Sequence, residues 1–546
     1  MLNCCLVSKY WRQVLLPLLW CVDDTRLMSN VSMTLLKKYK DYVRIYGGMW
    51  DRFTKDYANP PIYTQLRELS IGNAVRTNAE AMQLIGANNH LKKLEMYQVR
   101  LFELLNKNAK EDASNNNNNN NNQNKDTNND CNDNMHSSTN PLGHLRTTLQ
   151  ELTVIYLNCK EKELYYLLRS VAQGKLRYLK LHFLSGTFDL QNLVFESLTR
   201  LCLLLDHKIP GLHEIIGRSP HVEYLELGGL NNFFSIDSLV HILRGTHPVE
   251  TLRQREERLR SGLLEPLQYS RPQLKTLYIY GLHMYKRQDD STDKGNDAKF
   301  LELIQACSSI YNKHKWTGHL DSLQQLDIQL WLLDDQAREA IEMHSSTLEV
   351  LKIKILRSRE RTPWYKKRRH GQDLQKLLQS CTRLRKLEFL DQCGDEDISA
   401  IMTDLIGDHG TRTNHEDKGH NANNQKVELW NCLNLESLTL KSTRLHHSLD
   451  RTREEEEKRY YNDDEGDGGF GTWVMLKVQW DPVCADGTGF LLDTQWSNFE
   501  LFEDVMEDIG RPKEGEELIK RFLRHVSPST KLRRLQLGQL TFIRSV

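Results

Sequence analysis

The sequence lacks a net charge. Its 73 Lys and Arg residues balance 73 Asp and Glu residues, which gives no support for a nucleic-acid or membrane-surface role. It also lacks a long apolar run: nothing approaches the ~18 consecutive apolar residues that cross a bilayer. The apolar opening is interrupted by Lys9, Arg12 and Pro17 and has no small-residue cleavage site, so no secretion signal is expected. Organised cysteines are missing too. The eleven present are scattered and form no Cys-x-x-Cys pair, which excludes a disulfide framework or a structural zinc site. Most sit among apolar residues, as Cys202 does, and read as reduced core thiols of a cytoplasmic or nuclear protein.

Catalytic motifs are absent as well. No phosphate-cradling glycine loop precedes a helix, and no Gly-x-Ser-x-Gly elbow or His-Glu-x-x-His pair occurs. A non-enzymatic protein without a cofactor or metal is therefore expected. His409, His415 and His420, beside Asp408, Glu416 and Asp417, read as a solvated insertion rather than a metal site. The basic run Lys366, Lys367, Arg368, Arg369 follows Trp364 and Tyr365 and reads first as a solvated loop, with a nuclear-import or phosphate-binding role as the alternative. The acidic run 454–457 reads the same way, with contact to a basic partner as the alternative.

What the chain does have is a repeated phrase, Leu-x-x-Leu-x-Leu. It reads Leu66-Leu69-Ile71, Leu91-Leu94-Met96, Leu149-Leu152-Val154, Leu176-Leu179-Leu181, Leu198-Leu201-Leu203 and Val222-Leu225-Leu227. It continues as Leu274-Leu277-Ile279, Leu323-Leu326-Ile328, Leu348-Leu351-Ile353, Leu384-Leu387-Phe389, Leu435-Leu438-Leu440 and Leu532-Leu535-Leu537. Uninterrupted copies start roughly 22 to 27 residues apart, the period of leucine-rich repeats. Alternate residues of a strand share a face, so the leucines point inward and the residues between them point out. Helical patterns separate the phrases at 78–88, 161–173, 235–243, 298–310, 334–344, 373–381, 396–406 and 516–526. In one of them Leu164, Leu167, Leu168 and Val171 fall on a single helix face.

Strand plus helix in every copy predicts an α/β solenoid, a horseshoe with a parallel sheet on the concave face and helices on the convex face. Such a broad concave surface binds another macromolecule. The Asn that usually closes the turn after the strand is replaced by Leu at 157, 184, 230, 282, 356 and 540, so irregular geometry is expected. The solenoid is assigned to 23–546, with a helical segment at 1–22. Disordered insertions are expected near 106–141, which holds a run of Asn, and near 286–297, 357–371, 407–426 and 446–469. A further insertion is expected at 253–272, and one degenerate strand within 473–480.

The outward positions are the candidate binding face. They include Glu95 and Tyr97; Tyr178, Lys180 and His182; Tyr224 and Glu226; Tyr278 and Tyr280; Asp327; Lys352 and Lys354; and Lys386 and Glu388. Of these, Tyr97, Tyr178, Lys180, Tyr224, Glu226, Tyr278, Tyr280, Lys352, Lys354 and Glu388 are the expected partner-contacting residues. Tyrosines on a rigid sheet supply contact area at low entropy cost, and the alternative is packing between neighbouring strands. Tyr178, Tyr224 and Tyr278 are expected to form an aromatic stripe.

In the first twenty residues, Leu2, Cys5, Leu6, Val14, Leu15 and Leu18 are expected to line one side of two short helices, with Pro17 stopping the first. Trp11 and Trp20 are expected to be buried. The simplest reading is an amphipathic cap over the first repeat. The stretch Leu6-Val7-Ser8-Lys9-Tyr10-Trp11-Arg12, followed by Pro17-Leu18-Leu19-Trp20, resembles the second half of an F-box. The first-half helix, with its Leu-Pro-x-Glu-Ile start, is expected ahead of Leu2 and is missing. An F-box followed by leucine-rich repeats is itself a family pattern, that of the F-box/leucine-rich-repeat proteins. The resemblance implies that Leu6, Val7, Trp11, Pro17, Leu19 and Trp20 belong to a surface that docks on a Skp-type adaptor of a cullin-RING ubiquitin ligase. It also implies that the repeats hold an unknown protein substrate for ubiquitin-dependent degradation. Docking is expected of a chain extended upstream by its coding sequence. The alternative is a leucine-rich-repeat scaffold with no ubiquitin link.

Overall fold

A computed structural model describes residues 8–24, 33–48, 63–71, 78–97, 143–158, 161–185, 193–205, 213–228, 236–244, 272–280, 293–308, 323–330, 332–355, 370–391, 398–407, 430–442, 490–492, 512–526, 531–537 and 540–544. The chain is mixed α/β and divides into two compact units, Met1–Gln273 and Leu274–Val546.

In the first unit, helix α1 (Lys9–Leu19) leads to strand β1 (Val22–Asp24), helix α2 (Met33–Tyr39) and strand β2 (Ile45–Gly48). Then come β3 (Glu68–Ile71), α3 (Asn78–Ala87), β4 (Lys93–Tyr97), α4 (Leu145–Thr148), β5 (Glu151–Asn158), α5 (Glu161–Ala172) and β6 (Tyr178–Ser185). The unit ends with β7 (Arg200–Leu205), α6 (His213–Gly217), β8 (Tyr224–Gly228) and α7 (Ile236–Arg244). Strands β1 to β8 lie side by side in chain order, each parallel to the next.

The second unit runs β9 (Thr276–Tyr280), α8 (Asp293–Ala306), β10 (Gln325–Leu330), α9 (Asp335–Glu342), β11 (Val350–Ile355), α10 (His370–Ser380), β12 (Lys386–Asp391), α11 (Ile398–Leu405) and β13 (Ser437–Ser442). It closes with β14 (Phe490–Leu492), α12 (Pro512–Val526), β15 (Arg534–Leu537) and β16 (Leu540–Arg544). Strands β9 to β13 and then β15 are successive parallel neighbours. Beyond them β16 pairs antiparallel with β15, and β14 antiparallel with β16.

The repeated phrase sets the strands of both units. All its apolar positions are 5 % exposed or less, from Leu66 to Leu537. The intervening residues alternate with them as half-exposed positions, as in Val350–Ile355. Register is held by one recurring device. The carbonyl just ahead of most parallel strands accepts two successive N–H groups from the next: Arg67 from Lys92 and Lys93, Arg177 from Thr199 and Arg200, Glu349 from Arg385 and Lys386. A slip by one residue would turn every leucine to the opposite face, so this shared carbonyl and the buried leucines enforce the same alignment. The chain enters several phrases through a second device. The first phrase residue donates its N–H to the carbonyl three residues back, Leu91 to Asn88, Val222 to Ser219, Leu384 to Cys381 and Leu435 to Cys432.

Side-chain staples reinforce these entries. Asn88, 1 % exposed, accepts the Leu66 N–H at 2.7 Å and donates to the carbonyls of Tyr63 (2.8 Å) and Leu84 (2.6 Å). One side chain thus satisfies three main-chain groups that burial would otherwise leave unpaired, each worth about 1–3 kcal/mol.

Several expectations are corrected. Residues 9–19 form one helix with Pro17 inside it, not two helices divided there. Proline removes one N–H and one hydrogen bond, but it falls near the end of α1, and Trp20 N–H still reaches the Leu16 carbonyl at 3.1 Å. Residues 293–297 of the insertion expected at 286–297 open α8, and His370 and Gly371, assigned to the insertion at 357–371, open α10. Strands β1, β2, β14 and β16 carry no phrase. Where Leu157 replaces Asn, the register between β5 and β6 shifts. The expected strand within 473–480, the Asn-rich stretch at 106–141 and the insertion at 446–469 lie outside the described residues, as do 408–426 of the insertion placed at 407–426.

Candidate functional site

In each unit the face opposite the buried leucines is built from two rows of side chains, one on either side of the central leucine of the phrase, mostly half-exposed, with Thr153, Cys202 and Thr439 buried within them. Strand register sets the rows. In the first unit one row runs Glu68, Lys93, Glu151, Tyr178, Arg200, Tyr224, and the other Ser70, Glu95, Thr153, Lys180, Cys202, Glu226. In the second unit they run Thr276, Gln325, Val350, Lys386, Ser437, Arg534, and Tyr278, Asp327, Lys352, Glu388, Thr439, Gln536.

The expected aromatic stripe is therefore different in the structure. Tyr178 and Tyr224 stand in the same row, two strands apart, and Arg200 of the strand between them fills the gap. Its guanidinium carbon lies 5.3 Å from the Tyr178 ring centroid and 4.6 Å from that of Tyr224. Tyr278 stands on the opposite side of its phrase's central leucine, beside Asp327. In the sequence Arg200 is one of the two residues between Leu198 and Leu201 of a phrase and carries no further signal. Alignment of the phrases across parallel neighbours places it between the two tyrosines.

The tyrosines are braced by carboxylates two residues away on the same strand. Tyr224 Oη donates to Glu226 Oε2 at 3.0 Å, and Tyr97 Oη to Glu95 Oε2 at 3.3 Å. Glu95 also pairs with Lys93 at 2.9 Å, which raises the Lys93 pKa. Burial chiefly, with Cys202 and Glu226 adding, pushes the Tyr178 phenol up to about 12 against the opposing pull of Arg200. It remains neutral at any physiological pH.

The second unit's face is a ladder of alternating charge. Lys352 lies 3.6 Å from Asp327 and 3.8 Å from Glu388, and Lys386 reaches Glu388 at 3.7 Å. Burial raises the Asp327 pKa more than Lys352 lowers it. Pairs this exposed contribute about 0–1 kcal/mol each. Lys354 stands beside Gln329 and Leu390. Tyr280 ends β9, and its side chain lies outside the described residues.

The N-terminal segment supplies a separate surface. Ser8 caps α1, its hydroxyl accepting the Tyr10 N–H at 3.2 Å. Tyr10, Val14 and Leu18 recur every fourth residue and are 68 %, 42 % and 64 % exposed, so Val14 and Leu18 do not pack inward as a cap over the first repeat requires. Trp20, expected to be buried, is half-buried and stacks on Tyr39 at 4.7 Å. Pro17 and Leu19 are half-buried. Leu6, Val7 and the Trp11 side chain lie outside the described residues.

Among the described residues no group of His, Cys, Asp or Glu is placed to hold a metal ion. No described helix is long and apolar enough to cross a membrane. The histidines at 409, 415 and 420 and the basic run at 366–369 lie outside the described residues, as does the acidic run at 454–457. The chain matches no protein-family model, and no curated protein matches it.

Proposed function

We propose that the chain is an F-box/leucine-rich-repeat protein, a non-enzymatic substrate receptor of a Skp–cullin–F-box type ubiquitin ligase. The repeats form the solenoid that holds a protein substrate on its concave face, and the N-terminal helix docks the receptor on the adaptor. The work of such a receptor is geometric. It raises the effective concentration of substrate lysines beside a conjugating enzyme. The observation that carries the reading is the phrase itself. It is stacked strand on parallel strand within each unit, with every leucine buried and a polar, tyrosine-bearing face left half-exposed.

The N-terminal helix adds support from another direction. A stripe of Tyr10, Val14 and Leu18 exposed on one helix suits a protein partner better than water, and it falls within the segment that resembles an F-box. The test is capture of a purified Skp-type adaptor by the chain, with and without the coding sequence immediately upstream of Met1. Capture by the extended chain supports the receptor. Its failure there leaves a scaffold whose solenoid binds partners without a ubiquitin link.

A further inference from the structure

Strands β6 and β7 differ from their neighbours in the first unit. On the half-exposed face and its leading edge they present Arg177, Tyr178, Lys180, Thr199 and Arg200 and not one carboxylate. Carboxylates border them on both sides, Glu151 on β5, and Glu223 and Glu226 at β8. Other cations of these faces have carboxylate partners, as Lys93 has Glu95, Lys352 has Asp327 and Glu388, and Lys386 has Glu388, although Lys354, beside Gln329 and Leu390, has none among the described residues. Among the described residues Arg177, Lys180 and Arg200 have no carboxylate within ion-pairing distance.

Arg200 is the centre of this strip. Its guanidinium lies between the Tyr178 and Tyr224 rings, a cation–π arrangement worth about 0.5–1 kcal/mol per contact at an exposed site. The rings hold the arginine in place without using its five N–H donors. Among the described residues, no acceptor takes any of them. Tyr224 is itself fixed by its bond to Glu226, which keeps that carboxylate engaged with the phenol. A guanidinium held this way is pre-organised, because little rotamer entropy remains to be lost when a ligand arrives.

We propose that Arg200, flanked by Tyr178 and Tyr224 and supported by Lys180, is the receptor for one oxyanion-bearing side chain, a carboxylate or a phosphate, on an extended segment of a partner protein. The planar fork of an arginine matches either group with two parallel hydrogen bonds. The acidic borders select for an isolated anion. A nucleic-acid backbone carries a phosphate at every step and would run into Glu151 on one side and Glu223 and Glu226 on the other. An anionic bilayer would meet the same carboxylates. The inference rests on the reading of this face as a protein-binding surface and makes no use of the N-terminal helix.

The test uses the full chain and four pools of short degenerate peptides that differ at one central position: phosphoserine, phosphothreonine, glutamate or serine. Binding is read by fluorescence polarisation. Single-stranded DNA and phosphatidylserine vesicles serve as further probes. At least one of the anionic pools should bind about tenfold tighter than the serine pool, the discrimination expected of a charge-assisted bidentate pair. Preference for the phosphorylated pools alone assigns the group as phosphate, and preference for glutamate as carboxylate. Arg200→Ala should abolish the preference and Arg200→Lys should keep part of it, both with an unchanged melting temperature. Since Arg200 is exposed, both variants fold. Equal binding of all pools overturns the proposal, as does a preference that survives Arg200→Ala, or DNA or vesicles bound more tightly than any peptide. Adaptor capture through α1 should be the same in Arg200→Ala as in the unaltered chain, so failure here is separable from failure of the receptor reading.

Discussion

The N–H of Leu323 donates to Nδ1 of His344, twenty-one residues further on, at 3.2 Å. The ring's other nitrogen, Nε2, lies 3.0 Å from the Ile304 carbonyl. His344 is fully buried, so it ties α8, the end of α9 and the first residue of a phrase together, as Asn88 does in the first unit. The pair works only with Nε2 protonated and Nδ1 bare. Burial pushes the His344 pKa down to about 4 from 6.5, the Ile304 bond opposing.

A pH dependence follows. Between those two values the unfolded chain takes up a proton that the folded chain refuses. Stability is therefore fully present above pH 6.5 and falls as pH drops toward 4, by about 3 kcal/mol over the whole interval. Urea unfolding of the second unit at pH 7, 5.5 and 4.5 should show this loss, and His344→Gln should flatten it. A pH profile unaffected by that substitution would mean that another group is responsible.

Trp430 is the largest fully buried side chain among the described residues of the second unit. Its indole N–H donates to the Leu405 carbonyl at 3.1 Å, and its ring meets Phe522 and His525 edge-on at 6.0 and 5.7 Å. It thereby joins α11 to α12 just ahead of β13. Trp430→Ala should cost about 3–5 kcal/mol. Trp430→Phe keeps much of the packing and strands one carbonyl, so it should cost about 1–3 kcal/mol. Chemical denaturation measures both, and equal losses would contradict the role given to the hydrogen bond.

Gly371 gives a prediction of opposite sign to the usual rule. In most helices Gly→Ala stabilises by about 1 kcal/mol. Here a Cβ would fall 2.5 Å from Asp404 Cβ and 3.0 Å from the Ile401 carbonyl oxygen. Helices α10 and α11 would have to separate, at a cost of about 1–3 kcal/mol. Gly371→Ala should lower the melting temperature, and a rise would show that the two helices are not in contact there.

The sequence was legible where one physical requirement repeats. In Leu, x, x, Leu, x, Leu the last two apolar residues can share the buried face of a strand in only one register, with the first buried just ahead of the strand, and all twelve phrases occupy that register. It was less legible where partners came from other strands. Arg200 carries no signal until β6 and β8 flank it. Asp23, Asp24, Gly47 and Gly48 are poor strand formers, yet β1 and β2 form because β3 offers a parallel edge. Asp293, Lys294, Gly295, Asn296 and Asp297 read as a loop by composition, but they extend a helix whose later residues Phe300, Leu303 and Ile304 are anchored in the core. Pro17 reads as a stop, but it falls too near the end of α1 to break it.

The stripe on α1 tests the receptor reading at one place. Val14 and Leu18 are exposed, so replacing both with Asp should change the folding stability by no more than about 1 kcal/mol. The measurement is the dissociation constant for a purified Skp-type adaptor, by calorimetry, of the upstream-extended chain and of its Val14→Asp/Leu18→Asp variant. The receptor account predicts measurable binding that the double variant weakens at least about a hundredfold, roughly the 2–4 kcal/mol carried by buried interface anchors. No binding by the extended chain, or equal binding by a folded double variant, would contradict it.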